Sequence, residues 1–201
     1  MQTEIQELTG FNSVGRWKNK KQILLSHTSR EGGEYVTSLK TRHNGEYKKV
    51  PHYLIRKDGR VFQLLDPEDY SDYLKDYNNQ KQTIVITLEN LGWLKKNPLN
   101  ASYINWIGNI YSEGVYERKW RGHFFWDPYT DSQMESLQKL VVDLCERFEI
   151  PKTCIGHNVK VDNVEFYEGI VTRSNYSQNV TDLSPAFDYE ELLKVLENES
   201  V

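Results

Sequence analysis

The chain carries five histidines, His27, His43, His52, His123 and His157, and none lies in a His-Glu-x-x-His or His-x-x-Glu-His helix. It has no Cys-x-x-Cys pair, so a metal centre must be assembled from distant segments. Three positions are suited to one. His27 closes a stretch opened by the apolar run Ile23-Leu24-Leu25, where an imidazole would emerge at a strand end. His157 follows Ile155-Gly156 in a similar setting, and Asp182 sits in Thr181-Asp182-Leu183-Ser184-Pro185, just before a helical pattern. Two neutral imidazoles and a carboxylate leave a fourth tetrahedral position for water, the donor set of a hydrolytic zinc site. Zinc lowers the pKa of such a water from about 15.7 to about 7 and polarises a carbonyl. Spacing alone keeps the alternative open: each histidine also reads as a hydrogen-bonded structural residue, and Asp182 as a turn or capping aspartate.

The elements that would position these residues alternate between strand and helix. Ile23-Leu24-Leu25 reads as a short buried strand, and Glu34 to His43 as a helix ended by Asn44-Gly45. Val50 to Ile55 and Arg60 to Leu65 form a hairpin around Asp58-Gly59. Thr83 to Asn90 is a β-branched strand, expected to be central. Residues 91–129 form an aromatic-dense insertion without clear periodicity. A helix is expected from Asp131 to Glu149, with Thr130 and Gln133 as a capping box and Met134, Leu137, Val141, Leu144 and Phe148 at helical spacing. Cys154 to His157 reads as a short strand with a turn, 160–181 as a polar loop, and a last helix begins near Asp188. This order predicts an α/β fold with a mixed central sheet flanked by helices. Residues 1–22 read as a lead-in and 23–201 as one domain.

Composition narrows the function classes. At 201 residues with 13 Tyr, 7 Phe and 5 Trp, the chain can bury a core and is not globally disordered. A formal net charge of −4 argues against a protein dominated by nucleic-acid phosphate contacts. No apolar run approaches about 18 residues, so no membrane span is expected. The start of the chain has no basic segment followed by an apolar core, which predicts cytoplasmic synthesis. Cys145 and Cys154 read as buried thiols.

Four segments, in order, resemble the zinc-dependent N-acetylmuramoyl-L-alanine amidases, the group that includes amidase-type phage lysozymes and is related to peptidoglycan recognition proteins. Ile23 to Ser29 is similar to an opening strand ending in His-x-Ser/Thr, here His27-Thr28-Ser29. His52-Tyr53-Leu54-Ile55-Arg56-Lys57-Asp58-Gly59 looks like the family's hairpin. Ile84 to Gly92 is similar to its central strand Ile-Gly-Ile-Glu-Leu-Glu-Asn-x-Gly. Gly156-His157 and Asp182-Leu183-Ser184-Pro185-Ala186-Phe187-Asp188-Tyr189 look like its closing Gly-His and Asp-Pro-Gly-Pro-x-Phe-x-Trp. The resemblance implies zinc held by His27, His157 and Asp182, and hydrolysis of the amide between the muramic acid lactyl group and L-alanine in peptidoglycan. It also suggests an endolysin-like, phage-encoded member, acting at the bacterial cell wall or within a phage particle.

The departures fall on the proton-transfer positions. Thr87 stands where the family often has Glu, Val85 where it has Gly, Pro51 where some members have Tyr, and Val180 where a Lys is common. The gap from His157 to Asp182 is also long for the family. Glu89 is the candidate replacement for the missing acid, two residues on from Thr87 and so on the same strand face. His52 is the next. Both also read as structural residues. The alternative function is a catalytically degenerate amidase-fold module that binds cell wall or phage virion proteins. The aromatic rings of 91–129 read mainly as a roof over the sheet, with stacking on a glycan or a protein as the other reading.

Overall fold

The computed structural model describes residues 4–74 and 77–198. The strands in chain order are β1 (Ile5–Glu7), β2 (Gly15–Arg16), β3 (Gln22–His27), β4 (Tyr53–Ile55), β5 (Val61–Gln63), β6 (Asp69–Tyr70), β7 (Thr83–Leu88), β8 (Trp93–Lys96), β9 (Tyr103–Ile104), β10 (Ile110–Tyr111), β11 (Tyr116–Trp120), β12 (His123–Trp126) and β13 (Gly169–Thr172). The helices are α1 (Gly32–Thr41), α2 (Tyr77–Gln82), α3 (Asp131–Phe148), α4 (Arg173–Tyr176) and α5 (Tyr189–Asn198). Six strands form the central sheet in the order β1-β5-β4-β7-β3-β13. β4, β7, β3 and β13 run parallel, and the β4–β5 hairpin is antiparallel, so the sheet is mixed.

Parallel strands buried on both faces need apolar residues on both faces, and β3, β7 and β13 have no exposed position. Ile23, Leu25, Ile84 and Ile86 point to one face, under Leu137, Val141 and Leu144 of α3 and Leu192 and Leu196 of α5. Leu24, Val85 and Val171 point to the other, against Tyr73, Val161, Val164 and Tyr167. α1 lays Leu39 over Leu54 and Phe62 at the hairpin side of the sheet.

Local signals set the boundaries of α3. Thr130 Oγ1 accepts from the Gln133 backbone N–H at 3.2 Å, and Gln133 Oε1 accepts from the Thr130 N–H at 3.2 Å. The helix stops where Glu149 takes a left-handed conformation, φ 55°, two residues before Pro151. The hairpin turn packs beneath its first turn. Gly59 has φ +83°, and a Cβ there would lie 2.8 Å from the Ser132 carbonyl oxygen, so glycine is what lets the turn and helix meet.

Three segments differ from the sequence expectation. Residues 1–3 of the lead-in lie outside the described residues, but β1 extends the central sheet by pairing in parallel with β5, and β2 pairs with β6 in a separate two-stranded sheet. The 91–129 insertion is a second, antiparallel sheet, β10-β9-β8-β12-β11, with Leu91, Leu94 and Tyr111 buried in it. Its strands are two to five residues long and held by cross-strand pairs such as Phe125 with Leu94, which no local window contains. The stretch read as a polar loop from 160 contains β13, only four residues long, whose Ile170 and Val171 pair with Ile23 and Leu24. β13 is stabilised by that pairing, not by its own pattern.

Leu137 is fully buried between α3 and the sheet. Leu137→Ala is expected to lower the unfolding free energy by about 2–5 kcal/mol, read by urea denaturation.

Candidate functional site

β3, β7 and β13 end at the same edge of the sheet, and each delivers a polar residue there. β3 ends in His27, which is buried. Its Nδ1 accepts from the Ser29 backbone N–H at 3.2 Å, with the Ser29 hydroxyl at 3.3 Å, and its Nε2–H donates to the Thr181 carbonyl at 3.3 Å. Both ring nitrogens are thus engaged in a neutral tautomer. Burial pushes the His27 pKa down, partly offset by the nearby Asp182 carboxylate and the Thr181 carbonyl, while Arg173 adds to the lowering.

Gly92 holds the ring on its other side. A Cβ at Gly92, which has φ +76°, would lie 2.7 Å from His27 Cε1. The Gly92 backbone is fixed in turn: its N–H donates to Asn90 Oδ1 at 2.8 Å, and its carbonyl accepts from Asp127 N–H at 3.0 Å.

β13 ends at Thr172, and the next residue, Arg173, turns into the site. Its Nη1 donates to Asp182 Oδ2 at 3.3 Å, and its guanidinium lies 5.8 Å from the centre of the Tyr73 ring. The Asp182 carboxylate raises the Arg173 pKa, so the guanidinium is permanently charged. Asp182 is buried, and its carbonyl accepts from the Ser174 N–H at 2.9 Å and the Ser174 hydroxyl at 2.7 Å. Arg121, from the second sheet, clamps the surrounding loops by donating to the Val180, Ser177 and Asn158 carbonyls.

Thr87 is the penultimate residue of β7, on the opposite face from Leu88 and beside Ser26. Its Oγ1 lies 2.8 Å from Ser26 Oγ, which lies 2.8 Å from the Tyr73 hydroxyl. The position at which the resemblance has a carboxylate is therefore part of a hydroxyl chain that ends under Arg173.

Of the three expected metal ligands, the structure brings two together, His27 and Asp182. His157 is exposed on the loop after Ile155. Its Nδ1 accepts from the Val159 N–H at 3.3 Å, and its carbonyl accepts from Asn175 Nδ2 at 2.7 Å. Among the described residues, no group of three His, Cys, Asp or Glu side chains could hold a metal ion. The residues present do not fit a three-ligand zinc site. The position facing both Asp182 and His27 carries a guanidinium, which cannot ligate a metal.

The two acid/base candidates are structural here. Glu89 Oε1 accepts from the Gly32 N–H at 2.6 Å, and its Oε2 from Arg56 Nε at 3.0 Å and the Lys57 N–H at 3.2 Å. It ties α1 and the hairpin to the end of β7. His52 Nδ1 accepts from the Val85 N–H at 2.9 Å, and its Nε2–H donates to the Asp69 carbonyl at 2.9 Å. Burial, with the nearby Lys20 charge, pushes its pKa down to about 3. Both ring nitrogens of His52 and both carboxylate oxygens of Glu89 are thus engaged in holding the fold.

Sequence reasoning missed Arg173, Gly92 and Arg121. A signal existed for the first. Ile170-Val171-Thr172 is an apolar, β-branched triplet followed by a charged residue, as Ile23-Leu24-Leu25 is followed by Ser26-His27.

The profile of a family described as N-acetylmuramoyl-L-alanine amidase matches residues 16–169, which ends at the first residue of β13, before Arg173 and Asp182. The enzyme class and the fold expected from the motifs are those of this family. No curated protein sequence matches the chain. Among solved structures, the endolysin amidase LysCS from Clostridium intestinale URNW is 15% identical with a TM-score of 0.59, over 98% of this chain and 97% of that one. AmiD from E. coli, solved with anhydro-N-acetylmuramic acid-L-Ala-D-gamma-Glu-L-Lys, is 16% identical with a TM-score of 0.57, over 92% of this chain and 60% of that one. AmpDh3 from Pseudomonas aeruginosa, solved with anhydromuramic pentapeptide, is 18% identical with a TM-score of 0.57, over 92% and 62%. At these identities the structures share the fold.

Two outcomes follow from this geometry. Gly92→Ala forces a left-handed Cβ into the His27 ring and is expected to cost about 1–3 kcal/mol in thermal or urea unfolding. His52 titrates in the unfolded chain near its ordinary value of about 6.5, but only at about 3 when folded. The unfolded state therefore takes up the proton first, and stability is full above about pH 6.5 and falls as the pH drops toward about 3. His52→Gln, which retains one donor and one acceptor, is expected to make that fall shallower in urea titrations across this window.

Proposed function

Because the chain belongs to the N-acetylmuramoyl-L-alanine amidase family, we propose that it acts on peptidoglycan at the sheet edge where His27, Arg173 and Asp182 meet. The bond it addresses is the amide between the lactyl group of N-acetylmuramic acid and L-alanine. The family match over residues 16–169 carries this reading. The muramoyl peptides in the AmiD and AmpDh3 structures support it as substrate-like ligands of the shared fold.

Amide hydrolysis needs a donor for the developing oxyanion and a base for the attacking water. Arg173 can supply the first, since its side chain is 38% exposed while its guanidinium is tethered by Asp182. His27 borders the same place as a neutral imidazole beside a carboxylate, and it serves as the base only when its Nδ1 gives up the Ser29 N–H for the attacking water. The zinc implied by the resemblance is not part of this route, because the described residues bring two donors to the place and not three. A second reading, binding to cell wall or a phage particle without cleavage, is favoured by one observation. Thr87, Glu89 and His52, the positions that could have provided acid/base chemistry, are all held in structural hydrogen bonds.

One experiment separates these readings. Purified peptidoglycan is incubated with the protein, and both the L-alanine amino groups released and the protein co-sedimenting with the wall are measured. The amidase reading expects release that falls at least about 100-fold in His27→Ala. Release unchanged by that substitution contradicts the placement of the site. Binding without release, weakened by Arg173→Ala, selects the second reading, and neither binding nor release sinks both.

A further inference from the structure

We propose that Arg173 takes the place of a metal ion in this cleft: its guanidinium, ion-paired to Asp182 beside His27, is the site's resident cation, and the site holds no divalent metal. The inference concerns the cleft of the proposed function and stands whether or not that cleft cleaves an amide.

Four observations carry it. First, topology brings Arg173 to this point. β13 lies beside β3 with Thr172 opposite Leu25, so the chain leaves the sheet next to His27 and turns into α4 there. Second, Asp182 is already satisfied. Arg173 Nη1 reaches its Oδ2 at 3.3 Å, and the side chain of Asp182 is only 5% exposed, so a second cation would have to displace the guanidinium from a buried contact. Third, His27 offers no free ligating nitrogen. Its Nδ1 faces the Ser29 N–H, and its Nε2–H faces the Thr181 carbonyl. Fourth, the third donor expected for a metal, His157, is on an exposed loop and points to its own Val159 N–H.

Electrostatics argue the same way. A dication set next to a fixed guanidinium meets like-charge repulsion in a partly desolvated site. The single guanidinium neutralises one carboxylate and still presents N–H donors at its exposed edge. Those donors suit the planar oxygen of a carbonyl or carboxylate on a ligand. The Tyr73 ring beneath holds the guanidinium plane in position, and the Ser26–Thr87–Tyr73 hydroxyls hold that ring.

The test is a zinc titration of the full chain against a chromophoric competitor chelator, repeated with cobalt(II) to read the visible absorption of a tetrahedral site. Wild type is expected to bind no zinc at this cleft. Arg173→His puts an imidazole where the guanidinium stands and is expected to bind zinc roughly 100-fold or more tightly than wild type. That gain should vanish when Asp182→Asn is added. Stoichiometric zinc in wild type that is lost in Asp182→Asn overturns the proposal. So does a folded Arg173→His, shown by an unchanged circular dichroism melt, that gains no zinc. Should Arg173→His not fold, Arg173→Ala is read instead: removal of the resident cation is expected to tighten zinc binding at least about tenfold, and no gain overturns the proposal. The metal readout is independent of amide cleavage. A metal-free protein that releases no alanine contradicts only the amidase reading, and a zinc-bound active one contradicts this inference and the metal-free route while leaving the amidase reading standing.

Discussion

Strands that run parallel and are buried on both faces leave polar residues few places to go. β3, β7 and β13 spend their lengths on Ile, Leu and Val because helices cover one face and the 161–167 region the other. Polar side chains can then emerge only at the strand ends, and at the carboxyl edge three of them end together. His27, Thr87 and Arg173 are neighbours for that reason. The loop bearing Asp182 is tied to the same edge by the Ser174 hydrogen bonds. Ligand sites at the carboxyl edge of parallel strands are a general consequence of this architecture.

The second sheet gives the edge its walls. Gly92 leaves β7's end and seats against His27, while Asn90 and Asp127 fix its backbone. Lys57 of the hairpin turn reaches the buried Asp127 at 2.5 Å, which ties the hairpin to the second sheet. Arg121 closes the other side by gathering the 158 and 177–180 backbones. The 91–129 segment therefore does more than roof the core, because the connections beside its strands carry Gly92 and Arg121, the two residues that confine His27 and the Asp182 loop.

Much of the fold is legible in the sequence because its long elements carry their own signals. The α3 cap, the Asp58-Gly59 turn and the apolar runs of β3 and β7 can each be read within a few residues. β13 and the second sheet cannot, because short strands are stabilised by partners far along the chain. Of the candidate site, only the placement of some residues could be read from the sequence. His27 and Asp182 follow from a strand end and a pre-helical loop. His157 lies apart from them: Gly-His after an apolar residue reads as a strand end, yet Cys154 makes only an isolated bridge to Ile170 and the chain then turns outward. The strand that completes the edge is β13, and the residue that follows its last one is Arg173. Glu89 shares the strand direction of Thr87, but its place at the end of β7 makes it the anchor for the α1 amino terminus and the hairpin.

The central claim is that ligand chemistry happens at this carboxyl edge, with Arg173 as its fixed charge. Backbone and arginine side-chain NMR of the labelled chain, titrated with a muramoyl peptide, tests that most directly. The account predicts shifts concentrated at His27, Gly92, Thr181, Asp182 and the Arg173 guanidinium. Shifts confined to the exposed aromatic face of the second sheet, around Ile110, Tyr116 and Phe124, with the Arg173 signals unmoved, would contradict it.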